Sequence, residues 1–213
     1  FRTTPEALDL CDLLNQALDG GGGIHNNGTA TLTNTTVSGN SSYDGGGMRN
    51  LLGTMTLTNT TVSGNSARAL GGGINQVSPA PLTMTNSIVL SNTAPAYADF
   101  QDAGAGKFIQ NGPNLIGGNA ADVFAETVDN NGVAAGGLAD NGGAVQTIAL
   151  KNDHSNPALD AGLDDRLDES IAGIDLNGDG DTDDVIDTDA RGNGFGRIVE
   201  QTGITASNRI DLG

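Results

Sequence analysis

The residues of this chain best suited to chemistry are the oxygen-bearing side chains of the acidic run from 175 to 187. They alternate with glycines and small residues, and glycine permits the sharp turn that a short loop needs to wrap a cation. Carboxylate and amide oxygens at alternate positions are the ligands that Ca²⁺ takes in such loops. The sequence therefore predicts a structural calcium site, whose candidate ligands are Asp175, Asn177, Asp179, Asp181, Asp183 and Asp187.

This acidic run departs from the EF-hand pattern at its end. Its first, third and fifth positions carry oxygen ligands, and Gly180 stands at the turn. The twelfth position falls on Ile186, where a bidentate acid is expected, although Asp187 follows it. The alternative is a solvated acidic loop that keeps the protein soluble.

An internal repeat in the first half of the chain predicts the scaffold of the fold. A triple-glycine motif followed by Ile or Met begins at Gly21, Gly45 and Gly71. The copies follow one another at about 25 residues, a period typical of solenoids. Each copy offers three apolar positions, which predict three short strands per coil, paired in parallel with the neighbouring coils. The predicted inward columns are Ile24/Met48/Ile74, Leu32/Leu57/Met84 and Val37/Val62/Val89.

Asparagines recur with the same period. Asn tolerates left-handed turn conformations, and its side-chain amide can bond to the next Asn along a stack. We therefore expect structural ladders at the corners of the coils rather than ligand sites. The two predicted ladders are Asn34/Asn59/Asn86 and Asn40/Asn65/Asn92.

Threonines flank the second apolar column on both sides in every copy. Strand alternation predicts that they face outward as two parallel files, a surface that resembles the ice-contacting face of some insect β-solenoid antifreeze proteins. The alternative is that Thr is a favoured residue on any solvent-facing strand. The positions are Thr31, Thr33, Thr56, Thr58, Thr83 and Thr85.

The composition supports an elongated coil stack and disfavours some partners. Only 36% of the 213 residues are hydrophobic and 3% aromatic, which suits a narrow core of short aliphatic side chains. The formal net charge of −17 argues against nucleic acid and anionic membranes as partners. The single cysteine, Cys11, excludes an intrachain disulfide, and no stretch is long and apolar enough to predict a transmembrane segment.

Three regions follow from these patterns. An apolar stripe from Leu10, preceded by Pro5 at a first helical position, predicts an amphipathic helix over 3–19 that covers the first coil. A further strand is predicted over 145–150. Because the chain starts at Phe1, we expect a processed product or a fragment. The predicted regions are an N-terminal helical cap (1–20), a parallel β-helix (21–150) and an acidic, loop-rich C-terminal cap or calcium-binding region (151–213).

Residues suited to catalysis are sparse. A polysaccharide lyase needs a base, commonly Arg or Lys, beside carboxylates or calcium. Arg49 and Arg68 lie near the repeats with Asp44 as an acidic neighbour, His25 occupies a repeat position, and His154 lies in a predicted loop. Aromatic residues for stacking on sugars are nearly absent. We therefore predict no enzymatic activity and assign no catalytic residue.

Two groups of motifs resemble known families. The glycine repeats resemble the Gly-Gly-Ala-Ile units of chlamydial polymorphic outer membrane proteins. The later part of the chain resembles secreted bacterial proteins of the choice-of-anchor Q type. The motifs that carry this second resemblance are NLIG at 114–117, LADNGGAVQT at 138–147, NPALDAG at 156–162 and DARG at 189–192. Together the resemblances imply a right-handed parallel β-helix, secretion and display at the cell surface, with no established chemistry.

The expected fold is therefore all-β: a right-handed parallel β-helix with three short strands per coil, an N-terminal amphipathic helix cap and a loop-rich C-terminal region. The expected function is an extracellular structural or adhesive scaffold. Its expected partners are further copies of the chain, joined end to end or laterally into filaments, and cell-surface or matrix polysaccharide. The alternatives are a polysaccharide-binding or lyase-like β-helix and an ice-binding threonine-ladder protein.

Overall fold

The fold is taken from a computed structural model. It describes residues 17–18, 20–103, 108–129, 132–142, 145–153 and 155–159. The predicted N-terminal helix lies outside these residues except at its last turn, where the backbone N–H of Ala17 already donates to the carbonyl oxygen of Ser41 at 3.0 Å. Solenoid-type pairing therefore begins before the predicted end of the helix. The predicted region 151–213 is described only as far as 159.

Parallel sheets dominate the described chain, and each is built from strands that lie about one repeat apart. Sheet I contains β1 (Ile24–Asn26), β5 (Met48–Asn50), β9 (Ile74–Gln76) and β12 (Phe100–Asp102). Sheet II contains β2 (Thr29–Thr33), β6 (Thr54–Thr58), β10 (Leu82–Thr85) and β13 (Phe108–Gln110). Sheet III contains β3 (Thr36–Ser38), β7 (Thr61–Ser63), β11 (Ile88–Leu90) and β14 (Leu115–Ile116). Four successive coils thus give one strand each to three sheets, and the predicted parallel β-helix is confirmed.

The first two coils also carry a fourth short strand that the sequence patterns did not predict. β4 (Ser41–Asp44) pairs in parallel with β8 (Ser66–Leu70). Isolated bridges continue this pairing into the third coil, from Ser66 to Thr93 and from Leu70 to Ala96. The two strands have unlike sequences, SSYD and SARAL, so the apolar repeat gave no sign of them.

The three predicted apolar columns are confirmed as the inner faces of the three sheets. Register pairs stack Ile24/Met48/Ile74/Phe100, Leu32/Leu57/Met84 and Val37/Val62/Val89/Ile116. An additional inner column, Ala30/Met55/Leu82/Phe108, lies beside the second. All of these side chains belong to or pack against one apolar cluster. Because burying a side chain of this size stabilises a fold by about 1.5–3 kcal/mol, the columns are the main source of cohesion between coils.

The corner between sheets II and III is formed by the first set of aligned asparagines. Asn34, Asn59 and Asn86 have φ angles of 50°, 50° and 47°. This left-handed region is unfavourable for most L-residues by about 1–2 kcal/mol, and Asn enters it more readily than other side chains. The predicted corner role of these asparagines is confirmed. The predicted ladder is wrong for this set, because neither the amide nitrogen nor the oxygen of Asn59 has a hydrogen-bond partner in the described chain.

The second set forms a buried hydrogen-bonded ladder. Asn40 Nδ2 donates to Asn65 Oδ1 at 3.1 Å, and Asn65 Nδ2 donates to Asn92 Oδ1 at 2.9 Å. Asn92 Nδ2 then donates to a carboxylate oxygen of Asp99 at 3.0 Å. The predicted ladder is confirmed, and its last rung in the described chain is an Asp instead of an Asn.

A further amide ladder, which was not predicted, crosses the corner between sheets I and II. Asn26 Nδ2 donates to Asn50 Oδ1 at 2.8 Å, and Asn50 Nδ2 donates to Gln76 Oε1 at 2.8 Å. Gln76 Nε2 closes the ladder on the carbonyl oxygens of Ser78 and Ala80, both at 2.9 Å. These buried polar groups satisfy one another, so each coil is tied to the next by directional bonds as well as by the core.

Parallel pairing ends at β14, and the chain then folds in a different style. α1 (Ala120–Val123) precedes an antiparallel pair, β15 (Glu126–Asp129) and β16 (Gly132–Ala135). Phe124 and Ile148 pack with Ile88 and Leu90 of β11 in a second apolar cluster. This segment therefore covers the outer face of sheet III in the third coil. Within the described residues, no helix is both long and apolar enough to cross a membrane.

The strand predicted over 145–150 is wrong. Thr147 forms an isolated antiparallel bridge with Ala139, and Leu150 forms another with Phe124. Asn141 Nδ2 donates to the carbonyl oxygen of Thr147 at 2.8 Å, which holds this stretch in a closed loop. The same carbonyl oxygen also accepts from the backbone N–H of Ala139 at 3.1 Å, so backbone pairing here is confined to a single bridge.

Candidate functional site

The exposed side chains best suited to binding converge on the side of the stack formed by β4 and β8. Tyr43 belongs to β4 and is 53% exposed, and Tyr97, 61% exposed, lies at the edge of this side, directly after the bridge from Leu70 to Ala96. Arg68 is exposed as well. Ser42 and Ala67 are register partners and both are buried, so the residues that follow them, Tyr43 and Arg68, leave neighbouring strands on the same side. We call Tyr43, Arg68 and Tyr97 the tyrosine ridge.

A β-bulge shapes the middle of the tyrosine ridge. The register shifts between Ser42 and Asp44, so two residues of β8, Arg68 and Ala69, oppose the single residue Tyr43. Bulges of this kind bend a strand and re-aim its side chains, and they are over-represented beside functional sites.

Tyr97 occupies a position that holds glycine in the three preceding coils. The segment 97–100, Tyr-Ala-Asp-Phe, is the fourth copy of the glycine motif, because Phe100 is the register partner of Ile74. The φ angle of Tyr97 is 55°, close to the angles of 64°, 63° and 61° at Gly21, Gly45 and Gly71. A bulky residue in this region is strained. Since most of the Tyr97 side chain is exposed, burial of the ring does not compensate for that strain.

Asp99, in the same motif, also stands where earlier coils have glycine. A Cβ atom at Gly73 would lie 2.7 Å from Asn92 Nδ2, because the ladder asparagine of that coil fills the space. Asp99 instead has room for a side chain, and its Oδ1 accepts from both the backbone N–H and the Nδ2 of Asn92, at 2.9 and 3.0 Å. The carboxylate thus completes the ladder.

The outer face of sheet I adjoins the ridge through Asp44. Arg49 Nη2 lies 3.9 Å from Asp44 Oδ2, with the two side chains 19% and 16% exposed. A pair at this distance near the surface contributes little stability, about 0–1 kcal/mol. The side chains in register along this face, from the first coil to the fourth, are His25, Arg49, Asn75 and Gln101.

Two amides of this outer row differ from those of the inner ladders. Asn75 is 2% exposed, and within the described chain its Oδ1 accepts no hydrogen bond. Gln101 Oε1 is also buried and accepts no hydrogen bond within the described chain. Acceptors of this kind bind water or hydroxyl groups when these reach them. Both oxygens are buried, so this row differs from the inner ladders in its hydrogen bonding and does not present these acceptors at the surface.

The predicted pair of threonine files is only partly correct. Thr31, Thr56 and Thr83 are in register and partly or fully exposed, as predicted. Thr58 and Thr85 are each 3% exposed, so the second file is not a solvent face. These residues directly precede the left-handed Asn corners, where the strand alternation behind the prediction ends.

The predicted calcium ligands, from Asp175 to Asp187, lie outside the described residues, as do Cys11 and His154. In the described ranges, no group of three or more His, Cys, Asp or Glu side chains is placed to hold a metal ion. The calcium site therefore stays a prediction.

The described motifs behind the family resemblance have structural roles. Asn114 Oδ1 accepts from the backbone N–H of Ser87 at 2.9 Å, which caps a corner of the third coil. Asn156 is 4% exposed, and its Nδ2 donates to the carbonyl oxygens of Val123 and Lys151 at 2.9 and 2.7 Å. Comparison of the chain with protein-family models, curated proteins and solved structures finds no match. The resemblance to choice-of-anchor Q proteins thus stays a prediction.

Proposed function

We propose that this chain is a secreted structural or adhesive scaffold, displayed at a bacterial cell surface or in the extracellular matrix. The observation that carries the proposal is the pair of buried amide ladders through the stacked coils. They tie each coil to the next through the chain's own side chains. A β-solenoid of this kind is consistent with a scaffold, because its stacked coils form an extended surface.

We expect this surface to adhere to polysaccharide through many weak polar contacts. The full chain, coated on beads, is expected to hold to polysaccharide films under flow. Soluble polymer should release the beads while monosaccharides should not, because no single contact dominates. Retention no better than that of albumin-coated beads on every film would contradict the adhesive role.

End-to-end assembly is part of the same proposal. Phe100 and Phe108 end two of the inner columns, their ring centroids lie 4.5 Å apart, and both remain partly exposed. A further coil from a second copy would cover them and continue the parallel pairing. Sedimentation velocity at rising protein concentration is expected to show larger species. A monomer at all concentrations, with and without calcium, would contradict assembly.

We also propose that the acidic run from 175 to 187 binds Ca²⁺ as a structural ion. The support is the donor set itself: oxygen ligands at alternate positions, with glycines between them. Such an ion would hold together a segment that has few apolar residues. The same melting temperature with calcium and with a chelator would contradict this proposal.

A polysaccharide lyase is the alternative that one observation favours, namely the proximity of Arg49 to Asp44. A cationic group beside a carboxylate is the minimum that β-elimination from a uronic acid requires. The test is incubation with polygalacturonate, followed by ultraviolet absorbance for unsaturated ends. Product from wild type and none from Arg49→Ala would establish the lyase over the scaffold.

A further inference from the structure

We propose that the tyrosine ridge is a docking surface for a strand of neutral, hydroxyl-rich polysaccharide that crosses the coils obliquely. This inference deepens the adhesive role proposed above and rests on it. It assigns the contact to one side of the molecule and to one chemical class of partner.

The first argument is the convergence of suitable side chains. β4 and β8 have no sequence pattern in common, yet their register places Tyr43 and Arg68 on the same side, and the bridge from Leu70 to Ala96 places Tyr97 at the edge of that side. Between residues 20 and 103 the only Lys or Arg residues are Arg49 and Arg68. Arg68 lies on this side, and Arg49 lies directly beside it, 3.9 Å from Asp44.

The second argument is spacing. Tyr43 belongs to the first coil, Arg68 to the second and Tyr97 to the third. Neighbouring strands lie about 4.8 Å apart, so two coil steps separate the tyrosines by about 10 Å along the axis. Tyr97 aligns with Gly71 and Gly45, two residues beyond Tyr43, so the tyrosines are also offset by about 7 Å across the strands. A glycan strand that crosses the coils obliquely can therefore stack a sugar face on each phenol ring, with Arg68 between them.

The third argument is the backbone of Tyr97. A glycine here would relieve the left-handed strain, as it does in the three preceding coils, and the ring gains little burial in return. Strain that packing does not explain points to a role for the exposed group in function. An aromatic face turned to solvent is the group that packs against the C–H face of a sugar.

The fourth argument is charge, which selects a neutral partner. Residues 20–103 contain Arg49 and Arg68 against Asp44, Asp99 and Asp102, so this part of the chain is close to neutral within a protein of charge −17. An anionic polymer would gain little from this surface. Hydroxyl groups both donate and accept, and the ridge and its border offer guanidinium donors together with phenol hydroxyl groups, which also do both.

The test is affinity electrophoresis of the full chain in gels that contain hydroxyethylcellulose, xylan or polygalacturonate. Wild type is expected to be retarded by a neutral polymer. Tyr97→Gly, Tyr43→Ala and Arg68→Ala are each expected to weaken that binding by about three- to tenfold. Thr31→Ala, on the exposed face of sheet II, is the matched control and should bind as wild type does.

Tyr97→Gly is the deciding variant, because it should weaken binding while leaving the melting temperature unchanged or higher. Full binding by all three ridge variants would overturn the ridge while leaving the adhesive role intact. No retardation of wild type by any polymer would overturn both. Binding to polygalacturonate alone, abolished by salt, would replace the neutral partner with a charged one and overturn this inference.

Discussion

Asn65 offers the sharpest test of the amide ladders, because it is the central rung. Its Nδ2 donates to Asn92 Oδ1 and to the carbonyl oxygens of Val37 and Ser63, and its Oδ1 accepts from the backbone N–H and Nδ2 of Asn40. Asn65→Ala removes all of these contacts at a site that is 1% exposed. Each buried group left without its partner costs about 1–3 kcal/mol, so the free energy of unfolding should fall by about 3–5 kcal/mol.

The assay is urea or thermal unfolding followed by circular dichroism, with exposed Asn27→Ala as the control. Asn27→Ala should change stability by no more than about 0.5 kcal/mol. Asn65→Asp keeps the shape and should be as destabilising as Asn65→Ala at neutral pH, because a carboxylate oxygen would face the carbonyl oxygens of Val37 and Ser63. A loss below about 1 kcal/mol for Asn65→Ala would refute the view that the ladders hold the coils together.

Three further predictions concern other contacts. Gly46→Ala should destabilise the protein by about 3 kcal/mol in urea unfolding, because its Cβ would lie 2.4 Å from Gly72 O and from Ser66 O. Gly28→Ala should leave stability nearly unchanged, because its Cβ would have no heavy atom within 4 Å. An equal loss of stability in Gly46→Ala and Gly28→Ala would contradict this packing argument. Asp99→Ala should lower the free energy of unfolding by about 2 kcal/mol, because it removes the acceptor of Asn92. Asp99→Asn should lower it less, because it keeps an acceptor oxygen. The same melting temperature for both variants would count against Asp99 as the terminal rung of the ladder. Ca²⁺ should raise the melting temperature of wild type and do so less for Asp179→Asn, and an equal rise in both would exclude Asp179 as a ligand.

The parts of the fold that the sequence predicted are those where the same residue type recurs at the same interval. The Leu32 column and the Asn40 ladder repeat nearly unchanged, so their register followed from alignment of the copies alone. The inner ladder that ends in Gln76 was missed, since Gln there replaces the Asn of the two earlier coils. The column that begins with Ala30 was missed because its first member is too small to signal a buried position.

The fourth copy of the glycine motif was missed because its residue types differ from those of the first three copies. Tyr97 has the same left-handed backbone as Gly71 but a large aromatic side chain. Asp99 carries a side chain at a position where, in the earlier coils, a ladder asparagine leaves room only for glycine. The tyrosine ridge could not be found from spacing, because β4 and β8 have unlike sequences and meet only through the register of the coils. The acidic run is the reverse case, since its pattern is plain in the sequence and its placement lies outside the described residues.

The affinity of the full chain for neutral oligosaccharides of increasing length tests the central claim most directly. A scaffold that binds by contacts spread over several coils predicts that affinity rises steadily with length until the ligand spans the tyrosine ridge and its neighbouring coils, with the oligosaccharide recovered intact. Affinity that is already maximal for a mono- or disaccharide, or release of shortened products, would contradict the scaffold and indicate a compact binding or catalytic site.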